Sequence, residues 1–113
     1  MTQISEPTVQ ATRYVVSCFE PDDQEGASFN LAVEYRGRGL WAVVRMSRCL
    51  GSNGTWSYES IPSEREDEWL AEHRFDLDTA IKLAKEHAPL VTVNGYTVAD
   101  ALAMEKRRAA RRA

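Results

Sequence analysis

Three apolar segments separated by glycine-bearing turns constrain this chain more than any other feature. Phe29, Leu31, Val33 and Tyr35 recur at every second position. Arg36-Gly37-Arg38-Gly39 then interrupts them, and Leu40-Trp41-Ala42-Val43-Val44 follows. A second interruption runs from Cys49 to Trp56 and contains Asn53-Gly54. A period of two is the mark of a strand, and glycines supply the positive φ that tight hairpins require. Asn-Gly is among the strongest two-residue hairpin signals. The pattern therefore predicts an antiparallel meander.

Hydrophobic matching gives an expected register. Tyr35 faces Leu40, Val33 faces Ala42, Leu31 faces Val44 and Phe29 faces Met46, so that all eight share one buried face. A slip of one residue sets Leu31 against Arg45 and exchanges the faces. Centring the next turn on Asn53-Gly54 places Arg48 opposite Glu59 and Met46 opposite Ile61. The reverse face then collects Trp41, Val43, Cys49, Trp56 and Tyr58, with Arg45 and Ser47. That face is too aromatic for an ordinary wet surface, and reads first as a second small core covered by the first strand or a terminal helix, next as a protein contact, and last as a base-stacking platform.

Residues 1–11 carry no period and read as a mobile arm, followed by a strand over 12–20 and an acidic loop over 21–28. Helical spacing begins after Pro62. Ser63 and Glu66 have the spacing of a capping box, and Trp69, Leu70 and His73 form a short stripe. Asp76 or Asp78 opens a second helix with Leu77, Ala80, Ile81, Ala84 and Ala88 on one side, ended by Pro89. Leu90 to Val93 reads as a short strand before Asn94-Gly95. Thr97 with Asp100 opens a last helix. The expected fold class is α+β: an antiparallel meander of about four strands with two or three helices packed mainly on one face. The arm covers 1–11, one domain covers 12–105 and a basic helical tail covers 106–113.

At 113 residues the chain has room for one core. No apolar run approaches a membrane span, and the N-terminus lacks the basic and apolar regions of a signal peptide, so a cytoplasmic location is expected. Two cysteines outside any clustered motif read as free thiols in a reducing compartment. The net charge of −3 is unevenly spread. Positions 1–105 hold all 17 acidic residues against nine Lys or Arg, a balance of −8, while Lys106, Arg107, Arg108, Arg111 and Arg112 make the tail +5. Cations at a helix C-terminus complement its dipole. That reading is preferred to a nucleic-acid footprint, because no aromatic residue is interleaved with the charges.

No catalytic, cofactor or metal constellation emerges. His73 and His87 lie too far apart for paired ligands and read as structural, His73 beside Trp69 and His87 near a helix end. Cys49 reads as a buried thiol, since Arg48 points to the other side of the strand. Glu64, Glu66, Asp67, Glu68 and Glu72 read as a solvated helix start. Gly37, Gly39, Gly51 and Gly54 sit in turns with no helix following to hold a phosphate.

The segments Val33–Val43, Arg48–Leu50, Ile61–Leu70, His73–Asp76 and Val91–Gly95 together resemble small uncharacterised proteins encoded by actinobacteria and their phages. The likeness covers roughly residues 13–102 and brings no site residues with it. It implies an intracellular accessory protein acting on a host partner. The leading expectation is a non-enzymatic protein that contacts a protein partner through Trp41, Val43, Arg45, Trp56 and Tyr58, the sheet edge or the acidic helix. The alternatives are nucleic-acid binding through the five tail cations, and an enzyme with an unfamiliar site. No cofactor and no membrane partner is expected, and self-association is left open.

Overall fold

A computed structural model describes residues 2–59 and 66–112. The chain is α+β, with a five-stranded antiparallel meander, a separate two-stranded ribbon and three α-helices. The meander runs in sequence order through β1 (Arg13–Val16), β2 (Leu31–Gly37), β3 (Leu40–Arg45), β4 (Arg48–Leu50) and β5 (Trp56–Tyr58). Helices α1 (Asp67–His73) and α2 (Leu77–His87) follow. The ribbon of β6 (Thr92–Val93) and β7 (Tyr96–Thr97) precedes α3 (Val98–Arg112). Within the expected acidic loop, Gly26–Phe29 forms a 3-10 turn whose Gly26 and Phe29 are buried.

The pairing of β2 with β3 corrects the expected register. Val33 faces Val43 and Tyr35 faces Trp41, one residue away from the hydrophobic match. Arg38 and Gly39, at φ 55° and 76°, form the two-residue turn closed by Gly37 and Leu40. Both central positions of a type I′ turn need positive φ, which explains the glycine. An irregularity between Tyr35 and Gly37 completes the shift. Leu31 and Val44, expected together, therefore belong to opposite faces.

One face carries Leu31, Val33, Trp41, Val43 and Leu50 under α2, whose Ala80 and Ala84, continued by Ala88 just past its end, present a small-residue stripe to the sheet. The other carries Ala32, Ala42, Val44 and Cys49, with Trp69 of α1 packed against them. Full burial of a side chain such as Val33 or Leu31 stabilises by about 1.5–3 kcal/mol relative to exposure. With both faces covered, apolar residues fill consecutive positions of β2 and β3.

The next two turns also differ from expectation. Met46 and Ser47 turn the chain between β3 and β4, with Arg45 paired to Arg48 and Met46 at φ 56°. Non-glycine residues seldom adopt that conformation. The turn around Asn53-Gly54 is a longer loop closed by the Leu50–Trp56 pair, so Arg48 faces Tyr58 and not Glu59. Its Asn53 Oδ1 accepts from the Thr55 amide and hydroxyl at 3.1 and 2.7 Å. The Ile61 pairing and the Ser63 cap lie outside the described residues.

Helix starts follow their caps. Asp76 Oδ1 accepts from the Thr79 amide at 2.8 Å and opens α2. At the head of α3 the Thr97 amide donates to Asp100 while the Asp100 amide donates to the Thr97 hydroxyl, at 3.0 and 3.1 Å, a reciprocal capping box. Between α1 and α2 the chain passes from one face of the sheet to the other. Phe75 fills the hydrogen-bonding slot beside Trp41 with bonds of 2.7 and 2.9 Å, joins the α2 side of the core, and leaves Arg74 on the α1 side.

Candidate functional site

Two polar assemblies lie at the margins of the sheet. The first is a charged knot on the α1 side. Glu59 accepts from Arg36 through both carboxylate oxygens, at 3.0 and 2.8 Å, and also from Arg74. Arg36 reaches Glu34 at 3.2 Å, and Arg13 pairs with the same carboxylate at 3.0 Å. Hydrogen bonds from Arg36 hold the Glu59 carboxyl at about 2, well below the usual carboxylate range. Burial pushes the neighbouring Cys49 thiol up to about 11, with the Glu59 charge adding to the effect. A thiol so disposed is protonated at neutral pH and is a poor nucleophile.

His73 belongs to the same side and is buried. Its ring stacks on Trp69 with centroids 4.1 Å apart, and the Arg74 guanidinium lies over that indole at 5.3 Å. Nδ1 sits 2.7 Å from the Trp69 carbonyl oxygen, which only accepts, so the ring proton is on Nδ1. In the neutral ring Nε2 then accepts from the Ser57 hydroxyl at 2.9 Å. Gly51 permits this contact, because a Cβ there would come within 3.1 Å of Nε2. The arrangement ties β5 to α1.

The second assembly is a cleft of about 250 Å³ on the α2 side, lined by Arg45, Arg48, Trp56, Leu90, Val91 and Thr92. Arg45 and Arg48 stand directly opposite each other on β3 and β4. Neither has a carboxylate partner among the described residues, unlike Arg13, Arg36 and Arg74. Arg45 donates to the Ser28 carbonyl at 2.9 Å, while its Nε is shielded and has no hydrogen-bond partner among the described residues. Arg48 lies 4.8 Å over the Tyr58 ring, a cation–π contact. Like charges directly opposite across strands are unfavourable in the free protein.

The five sequence-predicted contact residues share this face but not its exposure. Trp41 and Val43 are core residues beneath α2, at 6% and 0% exposure, so they are not surface contacts. Tyr14 and Tyr35 pack against Trp41 with ring centroids 5.6 and 5.1 Å away. Trp56 is half-buried, Arg45 partly exposed and Tyr58 68% exposed, and these three remain at the rim. Cys49, expected beside them, is on the reverse face because the Met46-Ser47 turn resets the alternation. The same turn brings in Arg48, which sequence reasoning assigned to the other side. Two arginines flanking two residues are the only trace of it in the sequence, since Met is a poor turn residue.

The tail cations extend α3. Arg108 pairs with Glu25 of the acidic loop, while Lys106, Arg107 and Arg111 are exposed. Arg112 closes the helix. Phe19, Phe29, Val93, Tyr96 and Met104 line an apolar groove of about 190 Å³ where α3 meets that loop. Cys18 and Cys49 are both free thiols, the first exposed and the second buried. Among the described residues no group of three or more His, Cys, Asp or Glu is placed to hold a metal ion, and no helix is long and apolar enough to cross a membrane. Compared with known proteins, the chain matches no family model, no curated protein and no solved structure.

Proposed function

We propose that this chain is a small non-enzymatic binding protein that docks on a protein partner through the end of its sheet bearing Arg45, Arg48, Trp56 and Tyr58. The observation that carries the reading is the pair of guanidinium groups without carboxylate partners among the described residues, beside an exposed tyrosine and a half-buried tryptophan. Tyr, Trp and Arg are the residues most enriched at binding hot spots. Elsewhere on the sheet Trp41 is enclosed under α2 and Arg36 is tied into the Glu59 knot. The accessory role implied by the family resemblance is compatible with this reading.

The test is a pulldown with tagged full-length protein, comparing the wild type with Arg48→Glu and with Trp56→Ala. A saturable binder whose recovery falls at least tenfold in both variants is expected. A binder retained equally by Arg48→Glu, or no saturable binder at all, refutes the reading. A second reading, nucleic-acid contact through α3, is favoured by the exposure of Lys106, Arg107 and Arg111. It requires a salt-sensitive gel shift that disappears when residues 106–113 are removed, and the absence of a shift at low salt eliminates it.

A further inference from the structure

We infer that the cleft between Arg45 and Arg48 receives a carboxylate from an acidic peptide segment of the partner, with an apolar neighbour of that carboxylate resting on Trp56 and Leu90. This inference rests on the binding reading above and names the chemistry that the same site recognises.

Charge complementarity makes the assignment. Among the described residues no Asp or Glu lines the cleft, although the chain has 17 of them. Arg45 and Arg48 are paired across neighbouring strands and both line the cleft, Arg45 donating to the Ser28 carbonyl and Arg48 to the Tyr58 hydroxyl, and the shielded Arg45 Nε has no acceptor among the described residues. An anion placed in the cleft is attracted by both charges, and planar guanidinium forks match carboxylate geometry. The opposing wall of Leu90, Val91 and Thr92 is largely apolar, with Leu90 69% exposed, which suits an aliphatic side chain beside the acid.

A nucleic-acid strand fits less well. The −8 balance of positions 1–105 opposes a phosphate backbone continuing in either direction. A cleft of about 250 Å³ also seats one or two side chains, not a run of nucleotides.

The test uses the isotope-labelled full-length chain and a capped peptide of alternating glutamate and leucine. Saturable NMR shifts are expected at the Arg45 and Arg48 Nε–H groups and the Trp56 indole N–H. Affinity should fall at least tenfold when glutamine replaces glutamate in the peptide, and again in Arg48→Gln, whose exposed position leaves the amide spectrum otherwise intact. Equal binding of the glutamine peptide overturns the inference. So does saturation by inorganic phosphate alone in the same concentration range, or tighter binding of an oligothymidylate. A photo-crosslinker at Tyr58 separates the two levels. If it captures a saturable partner in an Arg48-dependent way while the peptide is inert, the carboxylate assignment fails and the docking reading stands. If neither occurs, both fail.

Discussion

Replacing Glu59 by Gln removes the charge on which Arg36 and Arg74 converge, and the cost can be worked from the geometry. The Glu59 carboxyl is held at about 2 against an ordinary value of 4.5. At about 1.4 kcal/mol per pH unit, that depression corresponds to roughly 3 kcal/mol of linked stability. Part of Glu59 faces solvent, which screens the interaction and lowers the expectation to about 2 kcal/mol. The buried side chain of Arg74, only 6% exposed, works in the other direction, because a guanidinium left without its partner is costly. The sign follows from the direction of the shift. A carboxyl whose folded value lies below its unfolded value stabilises fully above 4.5 and loses that contribution as pH falls through about 2. Urea unfolding of wild type and Glu59→Gln should therefore differ by about 2 kcal/mol near pH 7 and by less than half of that near pH 3. A gap below about 0.5 kcal/mol at neutral pH, or one independent of pH, refutes the knot as an organising interaction.

The other predictions separate the two layers of the sheet and probe its turns. Trp41→Ala should destabilise by about 3–5 kcal/mol, whereas Tyr58→Ala should stay within about 0.5 kcal/mol, both read from chemical denaturation. Met46→Gly should raise stability by about 0.5–1 kcal/mol by relieving the positive φ, as seen in the unfolding midpoint. Alkylation near pH 8 should modify exposed Cys18 quickly and leave Cys49 untouched until the protein unfolds, as mass spectrometry would show.

Most of the architecture was legible because its signals are local. Arg38-Gly39 and Asn94-Gly95 are turns whose central residues all have positive φ, Asp76 caps α2, and Thr97 with Asp100 caps α3. The stripe of Ala80 and Ala84 on α2, continued by Ala88 just past its end, follows from spacing alone. Register was not legible, for a physical reason. Hydrophobic matching assumes one dry face, but Leu31-Ala32-Val33 and Trp41-Ala42-Val43-Val44 are buried at every position. A continuous apolar run fits two registers almost equally well, and the irregularity near Tyr35 chooses between them. The site suffered in proportion. Alternation leaves the face of Trp41 and Val43 open between covered core and partner contact, and burial under α2 decides for core, while Arg48 escapes notice because Met46-Ser47 carries no turn residue. Trp56 and Tyr58 share a side of β5 as alternation within one strand requires, and the observed pairings put Arg45 on the same face.

The passage at Arg74–Phe75 makes the two layers of this protein answer to one peptide bond. Arg74 closes an electrostatic circuit below the sheet, and the very next residue seats an aromatic ring above it. Lengthening the chain here by a single residue would trade their roles, delivering a benzyl group to the Glu59 carboxylate and a guanidinium to the oil under α2.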